Sequence, residues 1–199
     1  MNFLAHVYLS GDNDLIRIGN FVGDYIKGNE HKNYMADIQK GILMHRFIDS
    51  YTDSHPNVRQ SKSRLNDKYH KYSGIIIDIF YDHFLARNWN VYSPVLFRDF
   101  IADLNKSLQE NMHYFSEEVQ EFIPRFMKFG WIESYATLEG IELVLKGMSR
   151  HTSLPDKTIY AISILEEHYE SFQSEFFDFF PQLINNVEVK FKISIDKAI

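Results

Sequence analysis

Two polar residues in the segment 38–53 have the types and the spacing to bind a metal ion. The segment reads IQKGILMHRFIDSYTD, in which His45 and Asp49 are one helical turn apart. An α-helix turns by about 100° per residue, so both side chains would share the face of the apolar residues. Buried ionisable groups are costly unless they are paired or bind a metal. The alternatives are that His45 is a hydrogen-bonded core histidine and that Asp49 pairs with Arg46 or caps a neighbouring helix.

A second apolar segment carries a similar set of polar residues. Residues 74–89 read GIIIDIFYDHFLARNW, with Asp78 and Asp82 one turn apart and His83 directly after them. Because this segment is apolar on most of its circumference, its helix should be largely buried. Two buried carboxylates one turn apart repel each other unless one is protonated or a cation lies between them. The two segments together predict a metal site inside a helical bundle.

Three further residues are candidates for this site. Asp24 lies in the segment GNFVGDYIKG, where the flanking glycines permit a plain turn or a close approach to a bound phosphate. His6 and Asp53 are also candidates, although the position of Asp53 better suits a solvated carboxylate at a helix end. Oxygen ligands with one or two imidazoles favour Mn²⁺ or Mg²⁺, and could accept Fe²⁺ or Zn²⁺. Water activated by such an ion could attack a phosphate ester.

Three cations, Lys27, Arg46 and Arg87, are best placed in the sequence to hold phosphate oxygens, and the alternative for each is a surface salt bridge. The formal net charge of −6 argues against a general nucleic-acid binder. Residues 59–72 nevertheless hold five basic residues and one acidic residue, a net charge of +4. This basic segment could face an acidic partner, or it could be a solvated helix face.

The elements that position these residues are predicted to be helices. Only 5 prolines and 9 glycines occur in 199 residues, which suits long helices with few breaks. We predict an all-α fold in one domain over 1–199, with a tail at 187–195 that is either a short strand or a frayed end. The predicted helices cover 12–28, 31–54, 56–70, 73–90, 94–113, 116–128, 130–147 and 156–190.

Composition excludes several classes of protein. The chain has no cysteine, which excludes disulfides, zinc sites built from thiolates and thiol catalysis. No run approaches the ~18 apolar residues of a membrane span, and the N-terminus lacks the features of a signal peptide. We therefore expect a cytoplasmic protein that does not span a membrane.

Several blocks of sequence together resemble the acyl carrier protein phosphodiesterase family, and the resemblance runs from residue 1 to about residue 185. The blocks are NFLAH at 2–6, GNFVGD at 19–24, GILMHRFID at 41–49, DIFYDHFL at 78–85, LVLKGMSR at 143–150 and FFDFFP at 176–181. The resemblance implies an enzyme that hydrolyses holo-acyl carrier protein, cutting the phosphodiester that joins 4′-phosphopantetheine to a serine. It also implies dependence on Mn²⁺ and a helical bundle distantly similar to the HD-domain fold.

The resemblance implies a metal set of Asp24, His45, Asp49 and Asp82, with His83 second in line. The residue order of the HD proteins is not literally present. His45 and Asp49 are a turn apart here, and the adjacent pair is reversed, as Asp82 followed by His83.

The residue chemistry and the resemblance converge on one mechanism, a hypothesis that gives roles to the other candidates. Lys27 or Arg46 would neutralise charge that develops on the phosphoryl group. His83 or His6 would protonate the leaving serine oxygen.

Carrier proteins are small and acidic, so the basic segment 59–72, with Arg64 and Lys68, would be their docking face. Two other functions stay open at this point. One is a metal-dependent phosphohydrolase of a nucleotide or another small phosphodiester. The other is a non-enzymatic helical interaction module whose buried acids and histidines form only a polar core network.

Overall fold

The computed structural model describes residues 1–198, and its regular elements are all helical, as the sequence predicts. The predicted domain also included Ile199, which lies outside the described residues. In chain order the α-helices are α1 (Phe3–Tyr8), α2 (Asp14–Phe21), α3 (Ala36–Ser54), α4 (Pro56–Ser63), α5 (Asn66–Tyr69), α6 (Ser73–Arg87), α7 (Trp89–Tyr92), α8 (Phe97–Glu110), α9 (Glu117–Lys128), α10 (Trp131–Ser134), α11 (Leu138–His151), α12 (Thr158–Glu167) and α13 (Tyr169–Phe191). Short 3₁₀ helices occupy Gly23–Tyr25, Glu30–Asn33, His70–Tyr72 and Met112–Tyr114.

Helices α2 and α3 pack backbone against backbone, and two glycines make this possible. A Cβ atom on Gly19 would lie 2.3 Å from the carbonyl oxygen of Ile38. A Cβ atom on Gly41 would lie 2.1 Å from the carbonyl oxygen of Ile16. Since real Cβ atoms do not approach other heavy atoms so closely, glycine is required at both positions. The crossing brings the end of α2 against the middle of α3, where the candidate ligands lie.

Helix α6 runs through the hydrophobic core, as its apolar sequence predicts. Phe80 and Tyr81 of α6 pack edge-on against Phe172 and Phe176 of α13, each pair with ring centroids 5.5 Å apart. All four rings are fully buried. Because α6 is enclosed in this way, its polar residues must find partners inside the protein.

Most of the predicted helices are present, but several boundaries differ. The sequence pattern does not predict α1, and the predicted helix over 12–28 stops at Phe21. Thr137 begins α11 by accepting a hydrogen bond from the Gly140 N–H at 3.0 Å, so the predicted helix over 130–147 divides into α10 and α11. The predictions over 56–70 and 156–190 likewise divide into two α-helices each.

The C-terminal tail and the start of α8 also differ from expectation. Helix α13 continues to Phe191, where Lys192 ends it in the left-handed conformation, with φ of 50°. Helix α8 begins at Phe97 instead of at residue 94, after a turn in which the Ser93 hydroxyl accepts from the Val95 N–H at 3.2 Å. No strand forms within residues 1–198. Within the same residues, no helix is long and apolar enough to cross a membrane.

Candidate metal centre

His6, His45 and Asp49 converge on one point, from α1 and α3. One ligand atom from each lies within 4.8 Å of the others, and no other such group occurs within residues 1–198. The Nε2 atoms of His6 and His45 lie 3.1 Å and 3.2 Å from the two carboxylate oxygens of Asp49. The two imidazole rings stack, with centroids 4.0 Å apart. Three ligand atoms so close together could hold one metal ion.

Asp24 joins this group from the 3₁₀ helix that follows α2. Its Oδ1 lies 3.2 Å from Nε2 of His45. A Cβ atom on Gly23 would lie 2.2 Å from Cγ of His45, so only glycine allows the 3₁₀ helix to come this near. The absence of a side chain at Gly23 is therefore what allows the Asp24 carboxylate to lie beside the imidazole.

Asn20, at the end of α2, orients both histidines. The Nδ1–H of His6 donates to the Asn20 side-chain oxygen at 2.8 Å, and the Nδ1–H of His45 donates to the Asn20 main-chain oxygen at 2.8 Å. The Asn20 amide in turn donates to the main-chain oxygen of His6 at 2.7 Å and to Ser10 Oγ at 3.0 Å. Such outer partners fix the orientation of a histidine ring, and here they point Nε2 of both rings at the centre, where a metal ion would displace the Nε2 proton of His45. Sequence reasoning gave Asn20 no role.

The environment of His6 favours a cation at this point. Burial, together with the neighbouring charge of His45, lowers the pKa of His6 to about 4, so its imidazole is neutral at pH 7. Its Nε2 then has no proton and faces two oxygens, Oδ1 of Asp49 at 3.1 Å and the main-chain oxygen of Met1 at 3.2 Å. Three hydrogen-bond acceptors facing one another repel unless a cation lies between them.

The other groups of the centre are charged. Burial opposes the charged form of His45, but its hydrogen bonds to Asp24 and Asp49 outweigh burial and raise the pKa of His45 to about 9. Burial would raise the pKa of Asp49, but the hydrogen bond from His45 and the charge of the Met1 ammonium group hold it well below its ordinary value. The hydrogen bond from His45 also lowers the pKa of Asp24. Both carboxylates are therefore ionised, as metal ligands must be.

Asp82 lies outside this group and binds the start of α1. Its side chain is fully buried, and its two oxygens accept from the N–H groups of Asn2 at 3.2 Å and Leu4 at 2.8 Å. Burial raises the pKa of Asp82 to about 7, against the opposing effects of the Met1 ammonium group and these two N–H donors. Asp82 thus holds the helix that carries His6.

Asp78 contacts the chain terminus. Its Oδ1 lies 2.9 Å from the ammonium group of Met1, whose side chain is fully buried. Burial raises the pKa of Asp78, although the ammonium group acts in the opposite direction. The sequence predicted a cation beside the two buried acids of α6. At Asp78 this cation is the α-ammonium group of Met1.

His83 projects away from the centre. Its Nδ1 contacts the main-chain oxygen of Tyr135 at 2.8 Å, and its Nε2 contacts the hydroxyl of Tyr169 at 2.8 Å. Consecutive helical residues point about 100° apart, so His83 and Asp82 cannot share a face.

A cleft of about 1110 Å³ opens over the centre. His6, Asp24, His45 and Asp49 all line it. Helices α9 to α11 supply another wall, which is largely aromatic and apolar. Its aromatic members are Phe122, Phe126, Phe129 and Trp131.

None of the cations that the sequence singled out for the substrate lines this cleft. The Arg46 guanidinium donates to the main-chain oxygen of Ile26 at 2.9 Å, and it lies 3.5 Å from Nδ1 of His31. Lys27 is exposed, and its N–H donates to the Glu30 carboxylate at 3.2 Å. Arg46 therefore holds the loop after Asp24, rather than facing the centre.

The other three cations also lie elsewhere. Arg64 forms a two-pronged ion pair with Glu175, at 2.8 and 2.7 Å. Lys68 is exposed on α5, and Arg87 is exposed at the end of α6, where it lines a different, smaller pocket. The structure thus brings together Asp24, His45 and Asp49 with His6, and keeps these cations apart from them.

The protein is all-α and has a candidate metal centre at the base of an open cleft. The chain belongs to the acyl carrier protein phosphodiesterase family, because the family model matches residues 1–183. This confirms the resemblance found in the sequence.

Curated relatives named acyl carrier protein phosphodiesterase match nearly the whole chain. The Photorhabdus laumondii protein is 34% identical over 191 residues, which are 96% of each chain. The Pectobacterium atrosepticum protein is 32% identical over 92% of this chain and 96% of its own, and the Yersinia pestis protein is 30% identical over 96% and 99%. No solved structure matches the chain, so the distant similarity to the HD-domain fold stays a prediction.

Proposed function

We propose that this protein is a metal-dependent phosphodiesterase that hydrolyses holo-acyl carrier protein to apo-acyl carrier protein and 4′-phosphopantetheine. Family membership supports the substrate and the reaction. The observation that carries the metal dependence is the convergence of His6, His45 and Asp49 within 4.8 Å at the base of the cleft.

The donor set fits a divalent transition metal. His6 and His45 would each supply Nε2, and Asp49 and Asp24 would supply carboxylate oxygens. Imidazole nitrogens favour metals such as Fe²⁺, whereas carboxylates favour Mn²⁺ and Mg²⁺, so a mixed set suits Mn²⁺ and leaves Mg²⁺ and Fe²⁺ as alternatives. Bound there, the ion would polarise a phosphoryl oxygen and lower the pKa of a water molecule.

The chain's own residues prepare this chemistry. Asn20 holds both imidazoles with Nε2 toward the cleft. His6 was considered as a proton donor to the leaving serine, but its neutral state and its position among the acceptors favour a ligand role. The aromatic wall at Phe122, Phe126 and Trp131 is suited to the apolar parts of the pantetheine arm.

The carrier protein itself would dock beside the cleft. Lys62 of the basic segment 59–72 lies 3.0 Å from Asp53, and Asp53 lines the cleft. Arg59 and Lys68 are exposed on the same segment, whereas Arg64 is engaged with Glu175. An exposed basic surface attracts an acidic protein and does so most strongly at low salt. We also retain a cytoplasmic location as a prediction, since the carrier protein must be within reach.

The experiment is intact-mass analysis of holo-acyl carrier protein after incubation with the protein and Mn²⁺, with EDTA as control. The mass should fall by one phosphopantetheine group, and EDTA should prevent the change. Small phosphodiesters tested in parallel separate the alternatives. Turnover of those alone would indicate a small-molecule phosphohydrolase, and failure to bind Mn²⁺ would indicate an interaction module.

A further inference from the structure

Two arginines that line the cleft have no acidic partner in the described chain. Arg17, Arg64 and Arg98 each form an ion pair with a carboxylate. Arg125 of α9 and Arg150 of α11 line the cleft, are exposed, and form no ion pair within residues 1–198. Their charges therefore face the cleft without a paired carboxylate, whereas Arg17, Arg64 and Arg98 have carboxylate partners.

Helix α9 presents Arg125 close to the metal centre. Phe122, one turn before Arg125 on the same face, packs against Tyr25 with ring centroids 6.1 Å apart. Phe122 also packs against Phe3 at 5.8 Å. Tyr25 directly follows Asp24, and Phe3 begins the helix that carries His6. The α9 face that bears Arg125 thus contacts the neighbours of two candidate ligands.

Arg150 lies in the LVLKGMSR block, which had no assigned role. In this block Lys146 pairs with Glu142, which leaves Arg150 as its free cation. A Cβ atom on Gly147, one turn before Arg150, would meet nothing within 4 Å, so this side of α11 is open to the cleft. The block therefore forms a wall of the cleft and directs an arginine to it.

The cleft is lined by several carboxylates, so a negatively charged substrate needs cations there to bind. Asp24, Asp49, Asp53, Asp78 and Glu118 all line it. A phosphodiester carries a negative charge and is repelled by carboxylates at short range. A guanidinium group binds two phosphate oxygens at once, which a lysine ammonium group cannot do.

We propose that Arg125 and Arg150 bind the phosphodiester of the substrate and hold it over the metal centre. This rests on the proposed function and deepens it, because it assigns the phosphate-binding residues that the sequence placed at Lys27, Arg46 and Arg87. Each guanidinium would donate to phosphoryl oxygens that remain on 4′-phosphopantetheine after cleavage. The product should therefore bind to the same arginines.

The test compares Arg125→Ala, Arg150→Ala, Arg125→Lys and Arg150→Lys with a matched control, Lys128→Ala. Lys128 lies on α9 one turn after Arg125 and does not line the cleft. Each Ala variant should lower kcat/KM for holo-acyl carrier protein roughly 10–100-fold, the loss expected for hydrogen bonds to a charged group. The Lys variants should recover part of this, and the control should match wild type.

A second readout does not depend on turnover. The affinity for 4′-phosphopantetheine, measured by calorimetry on the Mn²⁺-loaded protein, should fall in both Ala variants, while their affinity for Mn²⁺ stays at the wild-type level. Wild-type affinity for 4′-phosphopantetheine in both variants would overturn the proposal. So would a loss of turnover confined to the carrier protein, with bis(p-nitrophenyl) phosphate hydrolysed normally, because the arginines would then contact the carrier protein surface.

The two proposals fail in different ways. If the wild-type protein does not convert holo-acyl carrier protein, the proposed function fails, and the binding of 4′-phosphopantetheine still decides the role of the arginines. If the wild-type protein converts the substrate and both Ala variants do so equally well, only the arginine proposal fails.

Discussion

Replacing Asn20 with alanine should weaken metal binding without unfolding the protein. The Asn20 side chain makes three buried hydrogen bonds, two of them to His6. Loss of an outer partner of a metal-binding histidine lowers metal affinity by about 10–100-fold. That change corresponds to about 1.4–2.7 kcal/mol of binding free energy. His45 keeps its partner, because that partner is the main-chain oxygen of Asn20.

The same change should lower stability by an amount that the fold tolerates. Three hydrogen bonds at about 0.5–1.5 kcal/mol each give a loss of roughly 1.5–4.5 kcal/mol. Domains of this size are stable by about 5–15 kcal/mol, so the Asn20→Ala protein should remain folded at 25 °C. Circular dichroism during urea unfolding measures this loss.

Metal affinity is measured by titrating Mn²⁺ in a calorimeter and by following turnover as Mn²⁺ is raised. At saturating Mn²⁺ the Asn20→Ala variant should recover most of its activity, because all four candidate ligands remain. Ser10→Ala is the matched control, since it removes one partner of the Asn20 amide without touching either imidazole. A folded Asn20→Ala protein that binds Mn²⁺ as tightly as wild type would show that Asn20 does not orient the metal ligands.

Three further predictions concern residues around the centre. Gly23→Ala should displace the His45 imidazole, since its Cβ would lie 2.2 Å from Cγ, and Mn²⁺ titration should show weaker binding. Gly41→Ala should lower the free energy of unfolding by at least ~1–3 kcal/mol through overpacking against Ile16, as measured by urea unfolding. Because burial raises the pKa of Asp82 from 3.8 to about 7, the folded state gains a proton in this range that the unfolded state lacks. Stability should thus fall as pH rises from about 4 to 7, and urea unfolding of Asp82→Asn across this range should show a flatter dependence.

The sequence predicted the helices that carry a clear apolar pattern. Helices α3, α6 and α9 are present within a few residues of their predicted bounds. Helix α1 was missed because it has only six residues, and its N-terminal end is held by Asp82, about eighty positions away. A local pattern carries no information about such a distant partner.

Part of the candidate site could also be predicted from the sequence. The helical spacing of His45 and Asp49 placed both on one face, and the structure brings their side chains to 3.2 Å. The ligand position of His6 was not predictable in this way, because it depends on how α1 packs against α3. The one available signal was that His6 and Asn20 both lie in blocks that carry the family resemblance.

The buried acids of α6 need partners, as the sequence indicated, but a local sequence pattern could not identify those partners. Asp78 and Asp82 do lie in a buried helix, and both are satisfied by groups at the start of the chain. The partners of the candidate substrate-binding cations were equally hidden from a local sequence pattern. Arg64 is partnered by Glu175, far away in the sequence, so its availability for a substrate could be judged only from the fold.

The composition of the metal centre is decided by the rate of apo-acyl carrier protein formation by Asp49→Asn and Asp82→Asn, as Mn²⁺ is varied. If the centre consists of His6, His45, Asp49 and Asp24, Asp49→Asn should lose Mn²⁺-dependent turnover. Asp82→Asn, tested at a temperature at which it is folded, should retain it with a similar requirement for Mn²⁺. Loss of turnover and of Mn²⁺ binding in folded Asp82→Asn, with an active Asp49→Asn, would contradict this account.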